Sequence, residues 1–194
     1  MPASRRGEWE HLLKIEDVRD KRAKLEEYLG RGVGQCWLRE THLATLTENA
    51  LLHFHNRRYE LLAWCVMPNH AHVLVHVWQT PLWKMVASWK KFSAARANLA
   101  LRPERRSPDR PESERLHTNE PTRRSALRAF WQREYWDTYM RNEEQERKAV
   151  HYIEANPVKT KLCRAEEQWP FSSARFRDPF GRLILAANTG APIC

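Results

Sequence analysis

The chain has 194 residues, with 33 Lys+Arg against 24 Asp+Glu and a formal charge of +9; the length suits one domain with a sizeable core, and the charge points to a polyanionic partner. No apolar run reaches the ~18 residues of a membrane-spanning helix and no secretory apolar region opens the chain, which excludes a helical membrane protein and makes a cytoplasmic location the expectation. Cys36, Cys65, Cys163 and Cys194 show no paired metal spacing and do not read as a disulfide framework.

In chain order, the opening from Trp9 through Leu29 is charged and helix-like. The stretch from Thr41 to Asn56 has helical periodicity, with Ala44, Leu51, Leu52 and Phe54 as its buried stripe, so His53 and His55 read as ordinary helical residues, about 200° apart. Leu61 to Val66 is a short apolar strand, and Met67-Pro68-Asn69 is a turn, because Pro fixes φ and Asn tolerates turn geometry. The next run carries His70 and His72. On a strand both imidazoles project from one face, and Ala71, Val73, Val75 and Val77 project from the other. Two imidazoles so paired are half a metal site.

Leu82 to Leu99 is expected to be a helix with Leu82, Met85, Val86, Trp89, Phe92 and Leu99 toward the core. Its Lys84, Lys90, Lys91 and Arg96, with no acid from 84 to 96, form a candidate phosphate-contacting stripe. A segment at about 102–126, rich in Arg, Pro, Glu and Ser, reads as a mobile insert, since it buries too little apolar surface to offset its ordering entropy. Phe130 to Arg141 is strand-like. The helix that follows begins at Asn142 as N-cap, with Gln145 three places on and acids in its first turn, and stops near Ala155 or Asn156 because Pro157 disfavours helix before it. Tyr152 and Asn156, four apart, share one face of it. Of the nine tryptophans, Trp64, Trp89 and Trp131 read as core, and exposed ones could stack unpaired bases.

Four blocks in order carry a resemblance: Arg58 through Val75, Phe130-Trp131-Gln132-Arg133-Glu134-Tyr135-Trp136-Asp137, Tyr152-Ile153-Glu154-Ala155-Asn156-Pro157-Val158-Lys159, and Trp169-Pro170-Phe171-Ser172-Ser173-Ala174. Together they resemble the single-tyrosine HUH transposases, and most closely the REP-associated tyrosine transposases, which act on repetitive palindromic hairpins. The resemblance implies an α+β fold of the ferredoxin-like HUH type, a central antiparallel sheet with flanking helices. It implies His70, His72 and Asn156 as ligands of a divalent ion, Mg²⁺ or Mn²⁺, and Tyr152 as nucleophile. The expected activity is cleavage and strand transfer on single-stranded or hairpin DNA through a 5′-phosphotyrosine, by a monomer or homodimer. Arg133, Arg141, Lys159 and Arg175 are further candidate DNA contacts. Tyr139, with Glu143 four residues on, is the rival nucleophile; its strand-like setting counts against it, because four-residue spacing shares a face only on a helix. A relaxase or replication-initiator reading is disfavoured by the small size and by the tyrosine block.

One departure is plain. The family opens with an aromatic- and Thr-rich strand beside the histidine strand, whereas residues 1–35 here form a helix-like extension ahead of a domain at 36–176 and a tail at 177–194. Three outcomes are open: a shortened start, another segment in the vacated place, or a sheet with an exposed edge. The missing strand motivates the alternative function, a hairpin-DNA binder with impaired catalysis.

Overall fold

The computed structural model describes residues 11–12, 15–30, 32, 36–100, 130–132 and 135–185. Arg133, the insert at 102–126 and the tail beyond 185 therefore lie outside the described residues.

The architecture is α+β, helices around a two-stranded antiparallel sheet. Helix α1 (Val18–Gly30) precedes α2 (Thr41–Leu52), the hairpin of β1 (Tyr59–Val66) and β2 (Ala71–Val77), α3 (Leu82–Ala100), the tyrosine helix α4 (Glu143–Glu154) and a short turn α5 (Asn156–Lys159). Met67 N–H donates to the His70 carbonyl across the Pro68-Asn69 bend, so β2 starts with the histidines beside it. A bulge lies between Leu61 and Ala63. One extra residue switches the alternation of side chains. Tyr59 and Leu61 before the bulge, and Trp64 and Val66 after it, consequently share one core with Ala44, Leu51, Met85 and Trp89. Ala63, Cys65 and Met67 face the opposite way, onto Ile153 of α4. Helices α2 and α3 thus cover one face of the hairpin and the tyrosine helix covers the other.

The far edge of β1 is covered by the C-terminal segment. Val66 N–H donates to the Phe171 carbonyl at 2.8 Å, and Trp64 N–H to Ser173 Oγ at 3.0 Å. Trp169 Nε1 donates to the Val66 carbonyl at 3.0 Å, and Arg177 Nη2 to the carbonyl of the bulged Leu62 at 2.7 Å. Backbone, hydroxyl, indole and guanidinium groups of Trp169–Arg177 stand in for a strand's ladder, leaving these edge groups paired as buried peptide groups require. This segment covers the edge of β1 away from the histidine strand; among the described residues no strand pairs with the other edge of β2, the place beside the histidine strand.

Three expectations are corrected. Residues 135–141 form no strand; Tyr135, Trp136 and Tyr139 are exposed, and aromatic content without a neighbouring strand to pair with does not make one. Helix α2 ends at Leu52, so His53 is its C-cap and His55 lies in the following turn, where Asn56 has φ +60°; His55 Nδ1 accepts from Leu61 N–H at 3.0 Å. Leu99, expected in the core, is 57% exposed. Trp64 and Trp89 are buried as expected, and Trp131 packs partly buried against the same core.

Candidate metal and tyrosine site

Helix α4 is built as its sequence dictates. Asn142 Oδ1 accepts from Gln145 N–H at 2.9 Å, Gln145 Oε1 accepts from Arg141 N–H, and three glutamates occupy the first turn, where the helix dipole favours negative charge. At the other end Ala155 is the C-cap, and Asn156-Pro157 opens a further turn instead of a loop. Proline suits that first-turn position because its missing N–H would be unpaired there anyway. Asn156 is held on this buried corner, 7% exposed.

Four side chains converge at the start of β2. His70 Nε2 and His72 Nε2 are 2.9 Å apart, Asn156 Nδ2 is 3.2 Å from His72 Nε2, and the Tyr152 ring stands edge-on to His72 with centroids 5.6 Å apart. Lys159 Nζ lies 4.6 Å from the Tyr152 ring centroid, so the tyrosine is sandwiched between an imidazole and an ammonium.

Proton positions follow from the partners. Asn69 Nδ2 donates to the Leu29 carbonyl at 2.9 Å, which turns its Oδ1 to His70 Nδ1 at 2.7 Å. Nδ1 must then carry the hydrogen, leaving the His70 Nε2 lone pair facing into the site. Burial first, and the neighbouring His72 second, pull His70 down to about 3, so the ring is neutral at physiological pH. With no cation, the contact to His70 is made by a hydrogen on His72 Nε2, and the amide atom best suited to face it is oxygen; a half-turn of the Asn156 amide brings Oδ1 there.

Two neutral imidazole nitrogens and an amide oxygen suit a small divalent ion. Ligands at ~2.1 Å and right angles to one another lie about 3.0 Å apart, close to the 2.9 Å between the two Nε2 atoms. Among the described residues no cluster of three or more His, Cys, Asp or Glu could hold a metal ion, and the group that meets the two imidazoles is the Asn156 amide. The set is light in negative charge, so an ion held here keeps most of its Lewis acidity for an anionic ligand such as a phosphate.

The other candidates are distributed. Lys84, Lys90, Lys91 and Arg96 sit on α3, packed on the opposite face of the hairpin from His70 and His72. Lys90 Nζ donates to the Gln132 carbonyl at 2.9 Å and lies 5.7 Å from the Tyr135 ring centroid; Lys84 and Arg96 lie over Trp83 and Phe92. Arg141 is exposed at the start of α4. Arg175 is engaged by buried Glu48 at 2.6 Å, so its charge serves the fold. Lys159 alone of the described basic candidates stands at the tyrosine.

Asn69 was absent from the sequence-based candidates, although its place beside His70 was the available signal. Asn69→Ala frees His70 to rotate and to change tautomer, and partners that orient a ligating histidine are typically worth ten- to a hundredfold in metal affinity. The expected result is a Mn²⁺ affinity at least tenfold weaker by electron paramagnetic resonance, with the unfolding midpoint little changed.

Burial of neutral His70 makes the fold acid-labile. An unfolded histidine titrates near ~6.5, whereas folded His70 titrates at about 3. As pH falls through the interval between them, the unfolded chain binds a proton that the folded chain refuses, so stability is complete above the unfolded value and declines below it. For the chelated protein this group removes about 2 kcal/mol between pH 7 and pH 5. Urea unfolding at both pH values should show a correspondingly smaller loss in His70→Gln.

No protein-family model matches the chain. It is 25% identical over 118 residues to a REP-associated tyrosine transposase of Escherichia coli (strain K12), a match over 61% of this chain and 56% of that relative's length. A solved REP-associated tyrosine transposase bound to a REP hairpin shares the fold with a TM-score of 0.51, at 19% identity, over 84% of this chain and 86% of the other. No helix among the described residues is long and apolar enough to cross a membrane. In sequence the chain is similar to a REP-associated tyrosine transposase, and in fold to a solved one.

Proposed function

We propose that the protein is a divalent-metal-dependent transposase that cleaves and rejoins single-stranded DNA at repetitive palindromic hairpins, working in the cytoplasm. The observation that carries this reading is the meeting of Tyr152 of α4 and Asn156, at the start of α5, with His72 of β2. Mg²⁺ or Mn²⁺, held by His70, His72 and Asn156, would supply charge to the scissile phosphate as negative charge builds on it. Tyr152 loses its phenolic proton, and its Oη attacks phosphorus in line. The P–O3′ bond breaks, O3′ takes up a proton and leaves as a 3′-OH, and the 5′ phosphate stays on the tyrosine as a diester. Rejoining reverses the balance: a 3′-OH attacks and the phenolate departs, which is easy because a phenol ionises near ~10. One phosphodiester is exchanged for another, so no nucleotide energy source is needed.

Lys159, over the Tyr152 ring, is suited to hold a phosphate against the attacking oxygen. Nucleophile and candidate ligands meet within one chain, an arrangement open to a monomer or a homodimer. The alternative, a hairpin binder with lost or reduced catalysis, rests on the missing first strand, and adduct formation separates the two readings.

The test is incubation of the purified chain with labelled hairpin oligonucleotides from the repeats flanking its own gene, with Mn²⁺ and then with chelator. A denaturant-resistant adduct that requires the metal is expected. Hairpin binding without adduct, while an intact relative labels its own repeats in parallel, would return the binder reading.

A further inference from the structure

We propose that Glu154 is a positioning residue: a buried carboxylate that sets the rotation of the tyrosine helix by docking onto the C-terminal segment that covers the outer edge of β1. The inference rests on the transposase reading for its consequence in catalysis, while its geometry stands on the fold.

Three consecutive residues of α4 point three ways, because each helical step turns the side chain by 100°. Ile153 enters the apolar cluster of Ala63, Cys65 and Met67. Tyr152, one step before, turns toward β2 and His72, and Asn156 follows it on the same side. Glu154, one step after, turns the other way, to the edge of β1. There its Oε1 accepts from Ser173 Oγ and from Arg177 Nε at 3.0 Å, and Arg177 Nη2 lies 2.9 Å from the same oxygen. Arg177 also donates to the Leu62 carbonyl of the bulge, and Ser173 Oγ accepts from Trp64 N–H. The carboxylate is therefore tied to β1 itself through two residues, each bonded to both.

Magnitudes say why a polar tie is needed. Apolar contact is non-directional, so Ile153 and its neighbours resist withdrawal of the helix far more than rotation. A side-chain atom 5–6 Å from the helix axis moves about 2 Å for a rotation of about 20°, and a 1 Å misplacement of a reacting group can lower a rate about a hundredfold. A buried ion pair contributes little net stability against apolar replacements. Its directional geometry is what an apolar contact cannot supply. In the sequence Glu154 sits inside the tyrosine block with its partners in the Trp-Pro-Phe-Ser-Ser-Ala segment and just beyond it, two regions joined only by the fold.

The experiment compares wild type with Glu154→Gln, Arg177→Met, Arg177→Lys and Ser173→Ala in the full chain. It reads unfolding midpoint, Mn²⁺ affinity without DNA, hairpin affinity, and the single-turnover rate of adduct formation at saturating Mn²⁺ and hairpin. For Glu154→Gln the rate is expected to fall thirtyfold or more and Mn²⁺ affinity about tenfold, with hairpin affinity within twofold (~) and cooperative unfolding retained; Arg177→Lys should recover part of what Arg177→Met loses. Folded Glu154→Gln with wild-type rate and Mn²⁺ affinity overturns the proposal. Should the charge variants not fold, Ser173→Ala, which keeps the ion pair, decides in their place: a several-fold slower rate supports the tie and an unchanged rate overturns it. If wild type itself forms no adduct, the transposase reading fails and Mn²⁺ affinity alone judges Glu154, unchanged affinity or none in wild type counting against it.

Discussion

Tyr152→Phe is expected to abolish the covalent protein–DNA adduct, a loss of at least about a thousandfold, while leaving hairpin affinity and the unfolding midpoint near wild type. The substitution removes one oxygen from a partly buried ring whose packing is edge-on to His72 and beneath Lys159, and Phe keeps both contacts. Only the nucleophile is lost, and removing the group that forms the covalent bond leaves binding intact but no route to the phosphotyrosine. Tyr139→Phe is the matched control. Tyr139 is 84% exposed in a segment without regular structure, whereas Tyr152 alone of the two meets a histidine of the site. Denaturing gels of both variants with labelled hairpin and Mn²⁺ settle the choice; adduct lost in Tyr139→Phe and kept in Tyr152→Phe would reassign the nucleophile.

The parts of the site governed by local rules were legible before the fold. Alternation placed His70 and His72 on one face of β2, the 3.6-residue turn placed Tyr152 with Asn156, and N-cap chemistry located the start of α4 at Asn142. What escaped depends on contacts distant in sequence. Ser173 is 109 residues from Trp64 and Arg177 is 115 from Leu62, and no periodicity signals that a hydroxyl and a guanidinium will complete a strand edge. Arg175 looked like its basic neighbours until Glu48, 127 residues away, was found bonded to it. The strand expected over Phe130 to Arg141 failed for the same reason in reverse, since local β preference cannot supply a pairing partner.

Truncation after Pro170 is expected to remove the cooperative fold altogether, whereas a chain ending at Leu185 should keep it. The shorter chain loses Phe171 from the main core and strips β1 of its outer partners at Val66 N–H, Trp64 N–H and the Leu62 carbonyl. It also leaves Glu48 without Arg175 and Glu154 without Arg177, two buried carboxylates on opposite faces of the hairpin. An orphaned buried polar group costs about 1–3 kcal/mol, and a buried charge deprived of its partner about 3–5 kcal/mol. Several such losses together match or exceed the roughly 5–15 kcal/mol that hold a typical domain folded. Circular dichroism on heating should show no cooperative transition and reduced helicity for the Pro170 truncation at 25 °C. A sharp transition within a few degrees of wild type would mean that the edge of β1 tolerates exposure, and that Trp169–Arg177 decorates the sheet instead of completing it. Because the same segment anchors Glu154, its loss should remove Mn²⁺ binding at His70 and His72 together with the fold, linking the integrity of the sheet edge to the chemistry on its face.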